Sequence, residues 1–431
     1  MSQQAEQEVI AAMLMHPYLA KECDLTPDEF QHDLFQEIYR AMQFMVAQGR
    51  DFDALTLQDS MDKGRPGETF SNVMATILER STGSKTMFKD YCGIIRKDHR
   101  LKQAAGIAQS LLYSIQEEKD LTATDTAISQ LMQLGTVGRK YEWTMREALK
   151  NAVELVDTAF NAEGLVGVDT GLEPLNEITG GWHNTDLNVI GARPAMGKTA
   201  LMLNFAHAAD RPAGIISSEQ GNEQIGLRMI SIQGRLNTQT LRTAKLQEDE
   251  WPRLTAASHA LMERQIYIND EPSINIVNLC RQAREWKYRH NMGVLFVDYV
   301  QRIKGSVKGQ SKLEQVTEVV GALKSLAKEL NIPVIALAQV NRSVDSRPDK
   351  RPNMGDLSDA SEIEKEADSV IMLYRDEVYN EDTPDKGIAE LNFEKNRHGP
   401  TGTLRCMFLG QFMQFKELAP QAYQQQYGGA A

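Results

Sequence analysis

One short stretch near the middle of the chain constrains the fold more than any other. Leu187, Val189 and Ile190 form the apolar run of a buried strand, and the residues from Ala200 to Ala206 are good helix formers. Between them lies a loop that ends in Gly197-Lys198-Thr199. A helix that begins there points unpaired N–H groups and the positive end of its dipole at the loop. This geometry is typical of phosphate binding.

The loop therefore predicts a nucleotide site. We expect Lys198 to reach the terminal phosphates and the Thr199 hydroxyl to take one position on Mg²⁺. Ala192 stands where the usual pattern has its first glycine, with Gly191 just before it, and we treat this as a tolerated variant. The residues predicted to bind the phosphates are Ala192, Arg193, Pro194, Ala195, Met196, Gly197, Lys198, Thr199 and Ala200.

Composition places the chain among ordinary folded proteins. With 431 residues it has room for two or three domains, and a hydrophobic content of 42% is ample for a globular core. Cys23, Cys92, Cys280 and Cys406 lie far apart without a Cys-x-x-Cys pair, which argues against a disulfide framework and a zinc site. No apolar run approaches the ~20 residues of a membrane span, and the N-terminus lacks a secretory signal. We therefore expect a cytoplasmic protein without a membrane contact.

Residues 1–137 are predicted to form a small helical domain. Apolar residues recur at helical spacing between Val9 and Leu14. Thr26-Pro27-Asp28-Glu29 is a capping box that predicts a helix running on from Phe30 to Met42. The apolar stripe between Tyr91 and Leu112 predicts a helical hairpin. Basic residues on this stretch favour a solvated face over a nucleic-acid site, and they are Arg96, Lys97, His99, Arg100 and Lys102.

Residues 138–165 are predicted to be a linker that contains an amphipathic helix. Thr144 and Glu147 form a second capping box. The helix either packs on the following domain or docks on a neighbouring subunit, and both alternatives stay open. Its apolar stripe consists of Leu149, Ala152, Val153, Val156 and Phe160.

Residues 166–420 show strands alternating with helices, which is typical of a parallel sheet covered on both faces. A helix with one apolar side is predicted from Lys312. The Gln- and Gly-rich tail at residues 421–431 is predicted to be disordered. The fold class is therefore multidomain, α and α/β. Besides the strand before the phosphate loop, strands are predicted at residues 213–219, 265–270, 294–298, 332–339, 369–374, 389–394 and 402–408.

Three of these strands end in a polar residue: Glu219, Asp298 and Gln339. Ligands of a parallel sheet bind outside the carboxyl ends of its strands, so all three would face the phosphate loop. Asp298 is suited to hold Mg²⁺, and Glu219 to orient the water that attacks the γ-phosphate. Gln339 can sense whether that phosphate is present. Separate helix caps are the competing interpretation, but three such residues on the same edge as Lys198 favour phosphoanhydride cleavage.

The chain resembles the DnaB-type replicative DNA helicases over nearly its whole length. The N-terminal stretches Glu6-Gln7-Glu8-Val9 and Phe35-Gln36-Glu37-Ile38-Tyr39-Arg40-Ala41-Met42 are similar to that family's N-terminal domain. Seven motifs occur in the family's order, namely the phosphate loop 192–199, Ser218-Glu219, Val297-Asp298-Tyr299-Val300-Gln301, Leu326-Ala327-Lys328-Glu329-Leu330, Ala338-Gln339-Val340-Asn341-Arg342, Tyr374-Arg375-Asp376-Glu377-Val378-Tyr379 and Lys395-Asn396-Arg397-His398-Gly399-Pro400-Thr401-Gly402.

This resemblance implies a homohexameric ring that uses ATP and Mg²⁺ to move 5′ to 3′ on single-stranded DNA. It implies a RecA-like ATPase domain, a collar of paired helical hairpins, and a linker helix docked on the adjacent subunit. Arg228 matches the family position that stacks on adenine. Lys395 and Arg397 match the basic pair that enters the next subunit's ATP site, and a spacing of two on a strand puts both on one face. A helicase loader and a primase are the implied partners.

DNA contacts are expected to be local, since the net charge of −12 argues against a broad basic surface. One candidate loop follows Asp298 and another follows Gln339, and a solvated charge run is the alternative for each residue. A third segment matches the family's DNA-gripping loop, although it has Ser358 where arginine is usual and Ser361 where glycine is usual. His398 stands where asparagine is common, and we give it no catalytic role. The predicted DNA-binding residues are Arg302, Lys304, Lys308, Lys312, Arg347, Lys350, Arg351, Ser358, Asp359 and Ser361.

The sequence thus predicts an ATP-driven ring helicase that unwinds DNA at a fork. A RecA-like recombinase shares the sheet and the nucleotide residues, but the helical N-terminal domain argues against it. A non-motor ring that recruits replication partners is the second alternative. An attacking-water residue such as Glu219 argues against that alternative, because a structural nucleotide site does not need one.

Overall fold

The chain forms two compact units, Met1–Ala148 and Leu149–Ala431. The point of division falls inside the predicted linker. Lys308, Asp359 and the predicted tail lie outside the described residues. Within the described parts, no helix combines the length and the apolar character that crossing a membrane needs. The computed structural model describes residues 2–61, 68–118, 143–161, 165–307, 309–358 and 360–418, with a few more between 123 and 134.

The first unit is helical, as predicted. Its core includes Ile10, Met13, Ile38, Met42 and Ile95, all completely buried. The helices are α1 (Ser2–Met15), α2 (Leu19–Glu22), α3 (Asp33–Ala47), α4 (Ala54–Met61), α5 (Glu68–Arg80) and α6 (Phe88–Tyr113).

The capping box at Thr26 is present, but it begins only a 3₁₀ turn, Pro27–Glu29. The backbone is then extended at Phe30, and α3 begins at Asp33. The predicted continuous helix from Thr26 is therefore wrong. The reason lies in packing, because Phe30 enters the core with 1% of its surface exposed and its ring lies 4.9 Å from that of Tyr39.

The stretch predicted to be a helical hairpin forms one continuous helix, α6, followed by the π-helical turn Ser114–Glu118. A second arm of the hairpin would come after this turn, where most residues lie outside the described part. On the basic stretch of α6, Arg96 pairs with Asp24 at 2.8 Å and with Glu29 at 3.3 Å. Those ion pairs give Arg96 a structural role within the unit.

Helix α7 (Met145–Asn161) begins at the predicted capping box. The Glu147 N–H donates to Thr144 Oγ1 at 3.3 Å, and the Thr144 N–H donates back to Glu147 Oε2 at 3.0 Å. The apolar stripe of α7 is exposed, with 68% of Val156 and 87% of Phe160 accessible to solvent. Contiguous exposed apolar side chains of this size are typical of a surface that contacts a partner, and the docking of this stripe stays a prediction.

The second unit is built on one mixed sheet. Its strands are β1 (Leu187–Ala192), β2 (Ala213–Ser217), β3 (Ile266–Asn269), β4 (Val294–Asp298), β5 (Val334–Gln339), β6 (Ser369–Tyr374), β7 (Ile388–Asn396), β8 (Gly402–Leu409) and β9 (Gln414–Glu417). The order across the sheet is β3-β2-β4-β5-β1-β6-β7-β8-β9. Pairs from β3 to β6 are parallel, and β7, β8 and β9 are antiparallel.

Every predicted strand is present, and β9 is an addition that the sequence analysis does not predict. Four residues are too short a run to show a strand's alternation. Phe415 of β9 is buried and pairs with Phe408 of β8.

Helices cover both faces of the sheet. A hydrophobic core lies on each face, and neighbouring residues of β1 point alternately into the two. Ile190 lies in the same core as Phe205, and Val189 lies in the same core as Leu323. The helices of this unit are α8 (Glu173–Thr179), α9 (Lys198–Ala208), α10 (Asn222–Gly234), α11 (Thr238–Thr243), α12 (Glu250–Met262), α13 (Ile276–His290), α14 (Lys312–Leu330) and α15 (Ala360–Glu366).

Candidate active site

The predicted phosphate loop forms the turn between β1 and α9. Gly197 has a φ of +95°, which residues with a side chain rarely adopt, and a Cβ there would lie 3.4 Å from the Phe415 ring. Gly191 has no room for a side chain, because a Cβ would lie 2.5 Å from Met372 Sδ. Ala192 ends β1 as a regular strand residue paired with the last residue of β5. An alanine therefore fits where the usual pattern has glycine.

The side chain of Arg193 turns from the loop toward the segment that follows β5. Its guanidinium pairs with Asp345 at 2.6 Å and donates to the Val340 carbonyl at 3.1 Å. The Tyr379 hydroxyl donates to the same Asp345 carboxylate at 2.6 Å. The structure thus gives Arg193 a partner other than a phosphate, and it ties the phosphate loop to a segment predicted to bind DNA.

Lys198 is the first residue of α9, and its ammonium lies inside the loop. Nζ donates to the Ala338 carbonyl at 3.3 Å and lies 4.5 Å from the centre of the Tyr299 ring. Burial lowers the pKa of Lys198, while attraction to Asp298 and Glu219 opposes that shift. A phosphate group would add negative charge beside this buried cation and favour its charged form.

Asp298 ends β4 beside Thr199, and it is 1% exposed. The Thr199 hydroxyl donates to Asp298 Oδ2 at 2.8 Å, while Oδ1 is buried and has no hydrogen-bond partner among the described residues. Burial raises the pKa of Asp298, and Lys198 opposes that shift. A buried, unpaired carboxylate oxygen next to a hydroxyl is the donor set that Mg²⁺ prefers. These residues therefore fit a magnesium ion.

Glu219 and Gln339 reach the same edge of the sheet. The Ser218 N–H donates to the Asp298 carbonyl at 2.8 Å, so the chain after β2 runs beside the end of β4, and Glu219 is exposed there. Gln339 ends β5 opposite Ala192 of β1. The structure thus brings together all three polar strand ends that the sequence singled out.

Arg228 of α10 is half-buried near this edge. Burial lowers its pKa, and attraction to Asp298 and Glu219 opposes that shift. Its charge therefore interacts with the carboxylates on the phosphate side of the site. The predicted stacking on adenine stays a prediction.

Arg375 also contacts the phosphate loop. It follows β6 directly, pairs with Glu377, and donates to the carbonyls of Ala195 at 3.3 Å and Met196 at 3.5 Å. Its guanidinium lies 4.2 Å from the centre of the Phe408 ring. The rule that identified Glu219, a polar residue at the carboxyl end of a buried parallel strand, applies equally to Arg375.

Lys395 and Arg397 lie near the amino ends of the parallel strands, at the side of the sheet opposite the phosphate loop. The Arg397 N–H donates to the Asp368 carbonyl at 2.9 Å, and the Asp368 N–H donates to the carbonyl of Leu187, the first residue of β1, at 2.8 Å. Lys395 pairs with Val370 near the start of β6. The six residues of β1 span about 16 Å at roughly 3.3 Å a residue. The two side chains are therefore remote from the phosphate loop of their own chain.

Both cations are held by groups at that edge. Lys395 Nζ donates to the Ala367 carbonyl at 2.7 Å and to the Glu364 carbonyl. Arg397 Nη1 donates to Asp368 Oδ1 at 3.1 Å. Asp368 also accepts from Lys324 Nζ, at 2.6 Å.

The predicted DNA-binding cations divide into two groups. Across the part of the chain that the structure describes, Arg302, Lys304 and Lys350 form no ion pair, although Arg302 is hydrogen-bonded to Tyr299 and Lys350 lies over the Tyr379 ring at 4.7 Å. The others are bound to a carboxylate or a carbonyl group. Arg347 pairs with Asp356 at 2.7 Å, Arg351 pairs with Glu390 at 2.7 Å, and Lys312 Nζ donates to the Gln301 carbonyl.

The segment predicted to grip DNA lies beside the end of β5. The Ser358 N–H donates to the Gln339 carbonyl at 3.2 Å, and its hydroxyl donates to Asn341 Oδ1 at 2.7 Å. Ser361 is exposed on α15. The Nε2 of His398 lies 3.0 Å from Asp186 Oδ2, away from the phosphate loop.

Comparison with known families assigns both parts of the chain. The family model described as the DnaB-like helicase C terminal domain matches residues 167–417, and the DnaB-like helicase N terminal domain matches residues 1–97. The replicative DNA helicase DnaC of Bacillus subtilis (strain 168) is 33% identical over 430 residues, covering 96% of this chain and 94% of its own length. The replicative DNA helicase DnaB of Geobacillus stearothermophilus is 32% identical over the same coverage.

Solved structures agree with these matches. A DnaB-like replicative helicase, described together with its interactions with primase, superimposes with a TM-score of 0.70 at 28% identity. That alignment covers 97% of this chain and 100% of the other. A second solved structure, described as an ATPase domain, superimposes with a TM-score of 0.61 at 29% identity, covering 64% of this chain and 100% of that domain.

Proposed function

This chain belongs to the DnaB-like replicative DNA helicases, which hydrolyse ATP, and from that premise we propose that it works as a ring of six identical subunits. The ring moves 5′ to 3′ on one DNA strand held in its pore and separates the duplex at the replication fork. A pore lined by copies of a few basic loops reconciles DNA binding with a net charge of −12.

Within one subunit, the residues at the carboxyl edge of the sheet bind and orient the nucleotide. Lys198 compensates the charge of the terminal phosphates, and the oxygens of Thr199 and Asp298 hold Mg²⁺, which neutralises phosphate charge when bound. Glu219 orients the attacking water and takes up its proton, while Gln339 responds to the γ-phosphate.

The position of Lys395 and Arg397 carries the proposal. Both lie on the edge of the sheet opposite the phosphate loop of their own chain, so they act on ATP only if that ATP belongs to a neighbour. In that neighbour's site they stabilise the charge that develops on the transferred phosphoryl group, an effect that is worth ~10³-fold or more in rate. Hydrolysis therefore takes place between subunits.

The exposed stripe of α7 supplies a second contact between subunits. We assign it to a groove on the adjacent ATPase domain, since side chains such as Phe160, 87% exposed, lose most solvent contact in such a groove. A solved relative is described with its primase. We extend that partner, together with a loader that opens the ring, to this chain. Such an enzyme works in the cytoplasm, where bacterial and phage DNA is replicated.

Mixing two inactive variants tests whether the site is shared. Lys198→Ala removes the lysine that binds phosphate in a subunit's own ATP site. Arg397→Ala removes the guanidinium that the subunit supplies to its neighbour's ATP site. In a 1:1 random mixture, about a quarter of the interfaces combine an intact Lys198 with an intact Arg397. We expect ATPase activity to return in the mixture although each variant alone has almost none. Full activity of Arg397→Ala as a monomer would refute the proposal.

A forked duplex with either tail removed tests motor function and polarity. We expect unwinding to need the 5′ tail of the strand that threads the pore. Unwinding that needs only the 3′ tail contradicts the proposed direction, and ATP hydrolysis without any strand separation contradicts the motor.

A further inference from the structure

The segment predicted to grip DNA pairs with the chain that follows the γ-phosphate sensor. The Asn341 N–H donates to the Asp356 carbonyl at 2.8 Å, and the Ser358 N–H donates to the Gln339 carbonyl at 3.2 Å. Between these two bonds, Val340 and Leu357 form an antiparallel bridge. Residues 356–358, which we call the grip segment, therefore run alongside residues 339–341.

The buried side-chain amide of Gln301 joins these two segments. Gln301, 9% exposed, follows β4 in the 3₁₀ turn Val300–Arg302. Its Oε1 accepts from the Gln339 N–H at 3.1 Å, and its Nε2 donates to the Ser358 carbonyl at 3.4 Å. The backbone groups on either side are a donor and an acceptor, so they fix which way the amide points.

This amide uses a backbone group that the sheet leaves free. Strand β4 pairs with β5 only up to Ala336 of β5, so Gln339 at the end of β5 extends beyond its neighbour β4. Gln301 takes the place of a strand neighbour for the Gln339 N–H. Its own carbonyl accepts from Lys312 at the start of α14, which anchors the turn. Any displacement of Gln339 therefore stretches a bond to Gln301, and Gln301 holds Ser358.

We infer that Gln301 is a positioning residue that couples the γ-phosphate sensor Gln339 to the grip segment. This inference rests on the proposed function. A shift of Gln339 on binding or losing the γ-phosphate moves the Ser358 carbonyl through the Gln301 amide, and DNA on the grip segment acts back on Gln339 through the same bonds. Coupling between two binding sites is reciprocal, so nucleotide and DNA change each other's affinity by one factor.

The variant Gln301→Glu separates the two bonds. A carboxylate still accepts from the Gln339 N–H, but it has no donor for the Ser358 carbonyl and places an oxygen against it. Losing one buried hydrogen bond changes an equilibrium constant by about fivefold. We therefore expect the ratio of ATPase rates with and without oligo(dT) to fall about fivefold or more. The change in oligo(dT) affinity caused by a non-hydrolysable ATP analogue should fall by a similar factor.

The matched control is Gln36→Glu on α3. Gln36 Nε2 donates to the Phe30 carbonyl at 2.7 Å, so this variant makes the same chemical change and loses a comparable bond. Because that bond lies within the first unit and involves neither β5, the grip segment nor a predicted DNA loop, we expect both coupling ratios to match those of the wild type.

The outcomes distinguish the inference from the proposed function. If the wild type shows no DNA-stimulated ATPase, the proposed function fails. If the wild type is stimulated and Gln301→Glu keeps the full ratio, the inference is overturned. Hydrogen exchange on the wild-type protein gives a test that no folding defect can disturb. Because the Gln339 N–H donates to Gln301 Oε1, we expect oligo(dT) to slow exchange at the Gln339 amide, and an unchanged exchange rate there overturns the inference.

Discussion

Arg351 separates two roles that the sequence cannot distinguish. By position it is a predicted DNA contact, yet its guanidinium forms a two-bond pair with Glu390 of β7, at 2.7 and 3.0 Å. It also lies 4.8 Å from the centre of the Tyr374 ring. The Glu390 side chain is 10% exposed and that of Arg351 is 44% exposed. We therefore expect Arg351→Ala to affect stability more than DNA binding.

The structure gives the size of the effect. Removing one partner of a fully buried ion pair costs about 3–5 kcal/mol, because it leaves a charge unpaired. Solvent screening at the exposed side of Arg351, together with the ion pair that Glu390 keeps with Arg405 at 3.8 Å, reduces this to about 1–2 kcal/mol. Losing the contact with the Tyr374 ring adds about 0.5 kcal/mol. For a domain of this size, about 2 kcal/mol lowers the melting temperature by roughly 4–8 °C.

Two assays on Arg351→Ala and Arg351→Lys decide between the roles. Lysine keeps the charge but cannot form both hydrogen bonds with Glu390, so we expect both variants to have a lower melting temperature than the wild type. Loss of one phosphate contact would lower the slope of log K against log salt by about 0.7 for single-stranded DNA. We expect no such change in Arg351→Ala. An unchanged melting temperature together with a lower salt slope would refute the structural role.

Three carboxylates, Glu219, Glu8 and Asp368, each give a further prediction. Glu219→Ala should still bind ATP, while turnover falls by about 10²–10⁴-fold because the attacking water loses its base; unchanged unwinding would remove Glu219 from this role. Glu8 is 5% exposed and accepts three hydrogen bonds from Thr82 and Gly83, so Glu8→Ala should lower the unfolding free energy of the first unit by about 2–4 kcal/mol, measured by thermal denaturation; equal melting curves would contradict this. Burial raises the pKa of Asp368, but the bonds from Lys324 and the Leu187 N–H outweigh it, so the pKa lies below its usual 3.8. The charged form therefore stabilises the fold above about pH 4, and the stability gap between the wild type and Asp368→Asn should shrink as pH falls from there; a constant gap from about pH 7 to about pH 3 would show that the carboxylate charge contributes nothing.

Much of the ATPase domain could be predicted because its signals are local. An apolar run followed by Gly197-Lys198-Thr199 defines a strand, a turn and a helix within a few residues. The convergence of Glu219, Asp298 and Gln339 follows once the strands are parallel, because parallel strands end at the same edge. The helix from Thr26 could not be predicted correctly, since burial of Phe30 in the core outweighs the helical preference of the capping box.

The partners of charged residues were decided by the tertiary structure alone. Arg351 and Glu390 are 39 residues apart, and Gln301 and Ser358 are 57 apart. A charge run in a loop looks the same whether it faces solvent, DNA or a buried carboxylate, because residue type reveals charge but not which neighbour lies within hydrogen-bond distance of it. The sequence by itself determined the nucleotide loop and the polar edge of the sheet. Only the folded chain decided which cations are paired and that Lys395 and Arg397 lie at the far edge, since both depend on strand order and on contacts between distant parts of the chain.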